Sequence, residues 1–222
     1  MRFDIITLLP ATIIPFFQEG IIARAQKEKL IEIKIHNLRK WTTDKHNVVD
    51  DKPYGGGRGM VLKIGPIFRA VESLKQKKKR TKIILFSPRG KVFNQSLAND
   101  YTKIDQLILI SGRYEGIDER VFQYIADDVL SVGNYTLMSG DLPAIIVIES
   151  VSRLIEGVIG SEEEIKERVN SRGGFKEYPQ YTRPEVFTSI KGKEWTVPSE
   201  LLSGDHQKIK QWRESRTQII ES

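Results

Sequence analysis

The first two thirds of the chain alternate between two hydrophobic patterns. Short runs rich in Ile, Leu and Val predict buried strands, and they occupy residues 3–8, 31–35, 82–86, 106–110 and 128–132. Between them, apolar residues recur every three or four positions, which predicts helices over 15–25, 66–77, 96–101, 117–126 and 142–155. Strands that alternate with helices predict an α/β fold, in which helices cover both faces of a mainly parallel sheet.

The pattern changes after residue 160. Residues 161–168 are highly charged and have no apolar face, and residues 170–174 are rich in glycine and small polar side chains. We interpret 161–177 as a linker between a domain over 1–160 and a small helical C-terminal domain over 178–222. Residues 205–217 return to a helical pattern, whose buried face we predict to contain Ile209 and Trp212.

The composition narrows the class of protein. The 222 residues are 39% hydrophobic, enough for a folded core, and no run is long enough to cross a bilayer, so we expect a cytoplasmic protein without a membrane partner. The chain has no cysteine and three scattered histidines, which excludes disulfides and argues against a structural metal. A net charge of +6 favours a polyanionic partner, and nucleic acid is the natural candidate.

Three glycine-containing loops each follow a predicted strand. They are Phe86–Gly90, Ser111–Gly116 and Ser131–Pro143. Loops at the carboxyl ends of parallel strands meet at one edge of a sheet, where α/β proteins bind their ligands. Small residues in such loops let the backbone approach a ligand closely, so we predict one binding site built from all three. The alternative is that each loop is an ordinary glycine-rich connector.

A long irregular segment, residues 39–60, interrupts the alternation. It combines Trp41, Tyr54 and the glycines Gly55–Gly57 with basic side chains. Aromatic rings stack on exposed RNA bases, and glycine amides approach phosphates closely. The segment therefore predicts an RNA contact, with a mobile surface loop as the alternative.

Several motifs together resemble one known family. Ser111–Arg120 and Ser131–Pro143, with Pro53–Met60 upstream and Tyr181–Glu185 downstream, are similar to the bacterial tRNA (guanine-N1-)-methyltransferases, the TrmD family of the SPOUT superfamily. The resemblance runs almost end to end. It implies a deep trefoil knot formed by the three loops, S-adenosylmethionine as cofactor, tRNA rather than DNA as partner, and a homodimer.

The resemblance also implies an activity and a set of site residues. The activity is methylation of ring nitrogen one of guanine 37, which lies 3′ of the anticodon. The implied cofactor residues are Leu85, Phe86, Ser87, Pro88, Gly112, Tyr114, Glu115, Gly116, Ser131, Val132, Gly133, Tyr135, Leu137, Ser139, Gly140 and Pro143. The implied tRNA-binding residues are Tyr54, Gly55, Gly56, Gly57 and Arg58.

Methyl transfer to that nitrogen needs a base for its proton and a cation for the neighbouring carbonyl oxygen. Arg153 matches the family's arginine and is the predicted cation. The family carries an aspartate as base in the linker, whereas this chain has Asn170 at the nearest match. Asparagine does not accept a proton as a carboxylate does. Either Glu167, the nearest candidate, or another linker carboxylate replaces that aspartate as the base, or the protein is a slow or inactive relative.

Three functions remain open from the sequence. The first is the methyltransferase activity. The second is a non-catalytic RNA-binding relative that keeps the cofactor pocket and has lost the base, which Asn170 favours. The third is an enzyme that binds a nucleotide in the same loops and acts on a small molecule.

Overall fold

The computed structural model describes residues 1–159 and 175–220. The chain divides into two compact units, Met1–Glu162 and Glu163–Ser222. All three glycine-containing loops lie in the first unit. No helix within the described ranges is long and apolar enough to cross a membrane.

The first unit contains the predicted alternation of strands and helices. Its strands are β1 (Arg2–Thr7), β2 (Glu32–Asn37), β3 (Asp50–Asp51), β4 (Val61–Leu62), β5 (Thr81–Val92), β6 (Gln106–Ile110) and β7 (Asp128–Ser131). Its helices are α1 (Pro10–Ile13), α2 (Gly20–Lys27), α3 (Ile64–Leu74), α4 (Gln95–Tyr101), α5 (Glu119–Tyr124) and α6 (Asp141–Ser152), with 3-10 turns at Ile14–Phe17 and Leu38–Trp41. The single helix predicted over 15–25 is interrupted, because Gly20 has a left-handed φ of +68°.

Five strands form the central sheet in the order β2-β1-β6-β5-β7, and every neighbouring pair is parallel. The prediction of a mainly parallel sheet is confirmed. Parallel strands place their carboxyl ends at the same edge. The segments that follow β5, β6 and β7 therefore start close together, although they are far apart along the chain.

Apolar side chains fill both faces of the sheet. On β6, Leu107 and Leu109 join a core cluster that includes Val147 and Ile148 of α6. The alternate residues of β6 join a second cluster on the other face, which includes residues of α3 and α5. Burial on both faces explains why β6 reads as a continuous apolar run. The fixed sheet gives the loops at its carboxyl edge a rigid base.

Strand β5 is longer than the sequence predicted. We expected it to end at Phe86 and a loop to follow, but pairing with β7 resumes at Lys91. Phe86 and Lys91 both lie opposite Leu130, so residues 87–90 form a bulge. A Cβ atom at Gly90 would lie 2.6 Å from the backbone of Leu130, which only glycine avoids. The bulge is thus pressed directly against β7.

The second unit contains short strands as well as the predicted helix. Strand β8 (Phe175–Glu177) pairs with β11 (Gln218–Ile220), and β9 (Val186–Thr188) pairs with β10 (Glu194–Thr196), both antiparallel. Helix α7 spans Ser199–Leu202 and α8 spans His206–Arg216. Ile209 and Trp212 are half-buried and are the least exposed residues of α8, so they mark its inner face as predicted. Trp212 meets Tyr181 edge to face, with ring centroids 6.1 Å apart.

Candidate active site

A cavity of about 400 Å³ opens at the carboxyl edge of the sheet. Its walls come from the bulge of β5, the segment between β6 and α5, and the segment between β7 and α6. These are the three loops that the sequence predicted to meet. The volume lies within the range of roughly 300–1,000 Å³ that holds small organic ligands and cofactors.

Most of the predicted cofactor residues line this cavity. They are Phe86, Ser87, Pro88, Gly112, Tyr114, Glu115, Gly116, Ser131, Val132, Tyr135, Leu137, Ser139, Gly140 and Pro143. Leu85 and Gly133 do not line it, and Leu85 is buried in the core beneath it. The residue-by-residue prediction missed Arg89, Arg113, Ile117, Phe122, Leu130, Thr136 and Met138. The loop motifs contained Arg89, Arg113, Thr136 and Met138, whereas Phe122 carries no signal in the sequence.

One buried carboxylate ties the walls together. Asp141, the first residue of α6, accepts hydrogen bonds from Thr7 Oγ1 at 2.7 Å and from Ser111 Oγ at 2.6 Å. It also accepts from Ser139 Oγ at 3.0 Å and pairs with Arg113 Nη2 at 3.2 Å. The side chain of Asp141 is 6% exposed. Four donors surround this buried charge, as a stable buried carboxylate requires.

The walls also meet through backbone at Gly140. Its N–H donates to the carbonyl oxygen of Gly112 at 2.9 Å. A Cβ atom at Gly140 would lie 2.9 Å from the Cα of Ser111 and 3.1 Å from the Cβ of Phe86. Gly140 therefore allows all three walls to touch at one point, and a larger residue would separate them.

The glycine-rich segment predicted to bind tRNA ends beside the cavity. The amide of Glu115 donates to Met60 O at 3.1 Å, and the amide of Leu62 donates to Gly116 O at 3.0 Å. A Cβ atom at Gly59 would lie 2.7 Å from Glu115 Oε1. The predicted tRNA-binding residues Tyr54, Gly55, Gly56, Gly57 and Arg58 lie outside the cavity, and all are exposed. The segment thus borders the cavity mouth, where a large substrate has room to approach.

Arg153 lies at the opposite end of α6 from the cavity. It follows the last helical residue, and Asp141 is the first. At about 1.5 Å per residue, the two ends of the helix are separated by roughly 18 Å along its axis. Leu142, Ile146 and Arg153 share one helix face by their spacing, and the first two are 49% and 39% exposed. Arg153 is therefore placed away from its own cavity, on a face with exposed apolar side chains.

The predicted base residues Glu167 and Asn170 lie outside the described residues. In residues 1–159 and 175–220, no three His, Cys, Asp or Glu side chains are grouped closely enough to hold a metal ion. Next to the cavity residue Ile117, Asp118 caps the N-terminus of α5, and hydrogen bonds from Arg120 hold the pKa of its carboxyl below the ordinary value. That carboxylate stays charged while it caps the helix.

Comparison with known proteins decides the family. The sequence model of the family described as tRNA (Guanine-1)-methyltransferase TrmD matches residues 1–220. This chain belongs to the TrmD family. A tRNA (guanine-N(1)-)-methyltransferase of Thermomicrobium roseum is 50% identical over 214 residues, which cover 96% of this chain and 77% of the relative. Proteins with the same name from Dictyoglomus turgidum and Geotalea uraniireducens are 46% and 45% identical, over 96% of this chain and 83% and 84% of theirs.

The TrmD match covers both units and every motif that carried the resemblance. The three loops and the glycine-rich segment lie well inside the matched range. The match to the family therefore includes the residues of the cavity as well as those of the sheet. It identifies the chain as a member of a methyltransferase family that acts on tRNA.

Proposed function

We propose that this chain methylates ring nitrogen one of guanine 37 in tRNA, with S-adenosylmethionine as the methyl donor. The observation that carries the proposal is the cavity whose walls Asp141 joins, in a chain that belongs to the TrmD family. The same family membership supports a cytoplasmic location, where tRNA is found, and the deep trefoil knot. The close packing of Gly90 on Leu130 and of Gly140 on Ser111 is consistent with that knot.

The walls of the cavity suit the proposed cofactor. Ile117, Val132 and Leu137 offer apolar surface for an adenine ring, and tight loops offer backbone donors and acceptors for its edge. Glu115 provides a carboxylate for a ribose hydroxyl or the ammonium group. When bound, S-adenosylmethionine supplies an electrophilic methyl group next to a positive sulfur.

The chain must supply the groups that act on guanine. As nitrogen one is methylated and loses its proton, negative charge develops at the carbonyl oxygen beside it, and we assign Arg153 to stabilise that oxygen. We assign the proton to a carboxylate in the segment that contains Glu167 and Asn170, with Glu167 as the candidate base. Tyr54 and the glycines that follow are assigned to the RNA.

We propose a homodimer in which Arg153 acts at the partner's cavity. Arg153 lies roughly 18 Å along α6 from its own cavity, too far for a side chain to reach. The exposed Leu142 and Ile146 on the same face offer an apolar stripe for a second copy. Phe16 and Ile21, 55% and 51% exposed, lie on elements that pack against the same side of the sheet as α6. A second copy would cover these side chains.

Transfer of labelled methyl groups to tRNA tests the activity. We expect S-adenosylmethionine to label a tRNA transcript with guanine at position 37 and to leave the matching transcript with adenine there unlabelled. Tight binding of tRNA without any labelling would select the non-catalytic relative, the second candidate, which Asn170 favours. Binding of S-adenosylmethionine together with indifference to tRNA would leave only an enzyme that acts on small molecules.

Mixed variants test the shared site. Tyr114→Ala damages the cavity and Arg153→Ala removes the cation, so each variant alone is expected to be inactive. A dimer with one of each retains one intact site, because the cavity of one protomer meets the arginine of the other. Random mixing should therefore restore about a quarter of the wild-type activity. No recovery, or a monomer by sedimentation, would contradict the shared site.

A further inference from the structure

Arg89 connects two walls of the cavity through its side chain. It lies in the bulge of β5, and its Nη2 is 2.6 Å from Glu119 Oε2 on α5. Its guanidinium carbon also lies 4.5 Å from the centroid of the Phe122 ring. Arg89 and Phe122 line the cavity, and Glu119 lies outside it. We call these three side chains the clasp.

The bulge needs such a connection because its residues are out of register with β7. Residues 87–90 take no position in the ladder, since Phe86 and Lys91 both face Leu130. The amide of Arg89 donates a hydrogen bond to Ser87 Oγ at 3.2 Å. Both residues belong to the bulge, so this bond does not attach the bulge to another element. The clasp thus gives this wall a second restraint, in addition to the contact of Gly90 with β7.

Glu119, the carboxylate of the clasp, lies at a favourable position on α5. Glu119 is in the first turn of α5, where a negative charge is favoured by the helix dipole. Helix α5 directly follows the wall that contains Tyr114 and Glu115. A restraint between Arg89 and α5 therefore fixes the distance between the Ser87–Gly90 wall and the Arg113–Ile117 wall.

We infer that Arg89 is a positioning residue, and that its clasp to Glu119 and Phe122 preorganises the cavity for S-adenosylmethionine. The inference rests on the proposed function for the identity of the cofactor. If the wall is already fixed before binding, the ligand does not have to pay the entropy cost of ordering it. Affinity for the ligand is therefore higher, while the methyl transfer step is unchanged. An exposed ion pair together with a cation–ring contact is of a size that changes a binding constant about five- to thirtyfold.

A different role for Arg89 makes the opposite prediction. Arg89 lines the cavity, so its guanidinium is near enough to bind the carboxylate of the cofactor directly. In that case Glu119 competes for the guanidinium, and Glu119→Gln should leave cofactor affinity unchanged or raise it. If the clasp acts through wall position, Glu119→Gln should weaken binding even though Glu119 does not line the cavity.

The test compares Arg89→Met, Glu119→Gln and the double variant in the full chain. We expect Glu119→Gln, which removes only the exposed ion pair, to raise the Kd of S-adenosylmethionine about two- to fivefold with kcat within about twofold. Arg89→Met also loses the ring contact and should raise the Kd about five- to thirtyfold, and the double variant should bind no more weakly than Arg89→Met. Lys103→Gln removes an equally exposed ion pair with Asp100 far from the cavity and is the matched control. An unchanged Kd in Glu119→Gln overturns the inference.

Hydrogen exchange gives a readout that needs no cofactor. In the ligand-free protein, the amides of residues 89–92 should exchange faster in Glu119→Gln than in wild type, and Lys103→Gln should leave them unchanged. Equal exchange in Glu119→Gln and wild type overturns the clasp. If wild type fails to bind S-adenosylmethionine, the proposed function is wrong, and the exchange measurement still decides whether the clasp exists.

Discussion

The hydroxyl of Thr7 donates a hydrogen bond to Asp141 at 2.7 Å, although the two residues are separated by 134 positions in the chain. Thr7 ends the first strand, and Asp141 begins the helix that closes the cavity. The bond therefore joins the first strand of the chain to the helix that follows the third wall of the cavity. Loss of this bond should lower both the stability of the protein and its affinity for the cofactor.

Replacement of Asp141 by alanine should destabilise the protein and weaken cofactor binding, because the cavity walls lose the bonds that hold them together. The change leaves Arg113 without its carboxylate partner and three buried or half-buried hydroxyl groups with one acceptor fewer. Loss of one partner of a buried ion pair costs about 3 kcal/mol. Urea denaturation measures the stability, and titration calorimetry with S-adenosylmethionine measures the expected fall in affinity of more than tenfold.

Asp141→Asn is the matched variant for this prediction. It keeps the shape and one carbonyl acceptor but removes the charge that Arg113 pairs with. We expect a smaller loss of stability than in Asp141→Ala, with a similar loss of cofactor affinity. If both variants unfold and bind as the wild type does, Asp141 does not hold the walls.

Gly140→Ala should damage the site by sterics alone. The added methyl group would lie 2.9 Å from the Cα of Ser111 and 3.1 Å from the amide of Gly112, and backbone at that distance must shift. Overpacking of this kind costs about 1–3 kcal/mol. Gly65→Ala is the control, because in α3 the nearest atoms belong to the flexible Arg69 side chain and alanine favours a helix. Thermal melts should separate the two variants clearly.

Asp4 should make stability depend on pH in acid. Burial raises the pKa of its carboxyl, but hydrogen bonds from His36, Arg2 and Gln106 outweigh it and hold the pKa below the ordinary value. A carboxyl whose folded pKa is lowered stabilises the protein above its unfolded pKa, about 3.9, and this contribution is lost as the pH falls through the folded pKa.

The comparison of wild type with Asp4→Asn measures this contribution. We expect the variant to be about 3 kcal/mol less stable at pH 7, because the side chain of Asp4 is fully buried and Arg2 loses the nearer of its two carboxylate partners. The difference should shrink steadily below about pH 4. Asp100→Asn removes an exposed carboxylate and should change little at either pH. A difference that stays constant down to pH 2 would contradict the assignment.

The base is predicted from the sequence alone. If Glu167 accepts the proton, Glu167→Gln should lower turnover roughly a hundredfold or more and leave cofactor affinity intact. If Asn170 instead occupies the position of the family's aspartate, Asn170→Asp should raise turnover sharply. Single-turnover methylation of tRNA measures both. If neither change alters the rate, the base lies in another segment.

Binding of tRNA should weaken steeply as salt is added. Lysine and arginine contacts to phosphates release bound counterions, which gives a log–log slope of roughly −0.7 to −0.9 for each phosphate neutralised. Filter binding across a range of salt concentrations measures the slope. A flat dependence would contradict an RNA partner for this basic chain.

Local pattern was enough to predict most of the first unit. The central strands and their helices follow from periodicity, since a buried strand such as Gln106–Ile110 reads as a continuous apolar run. The three loops follow from glycine and small residues placed directly after strands. Their meeting point was predicted too, because parallel strands end at one edge. Periodicity, loop composition and the family resemblance together therefore located the cavity.

Long-range packing decided what the pattern left open. The order β2-β1-β6-β5-β7, the bulge at residues 87–90 and the position of Thr7 beside Asp141 depend on contacts between residues far apart in sequence. The clasp between Arg89 and Phe122 is of the same kind. The sequence alone determined the five central strands, most of the helices between them and the three loops, because those depend on neighbouring residues; it did not predict the extension of β5 or the short strands of the second unit. Only the tertiary structure decided which side chains hold the loops together, because no local pattern records a partner that another strand brings into contact.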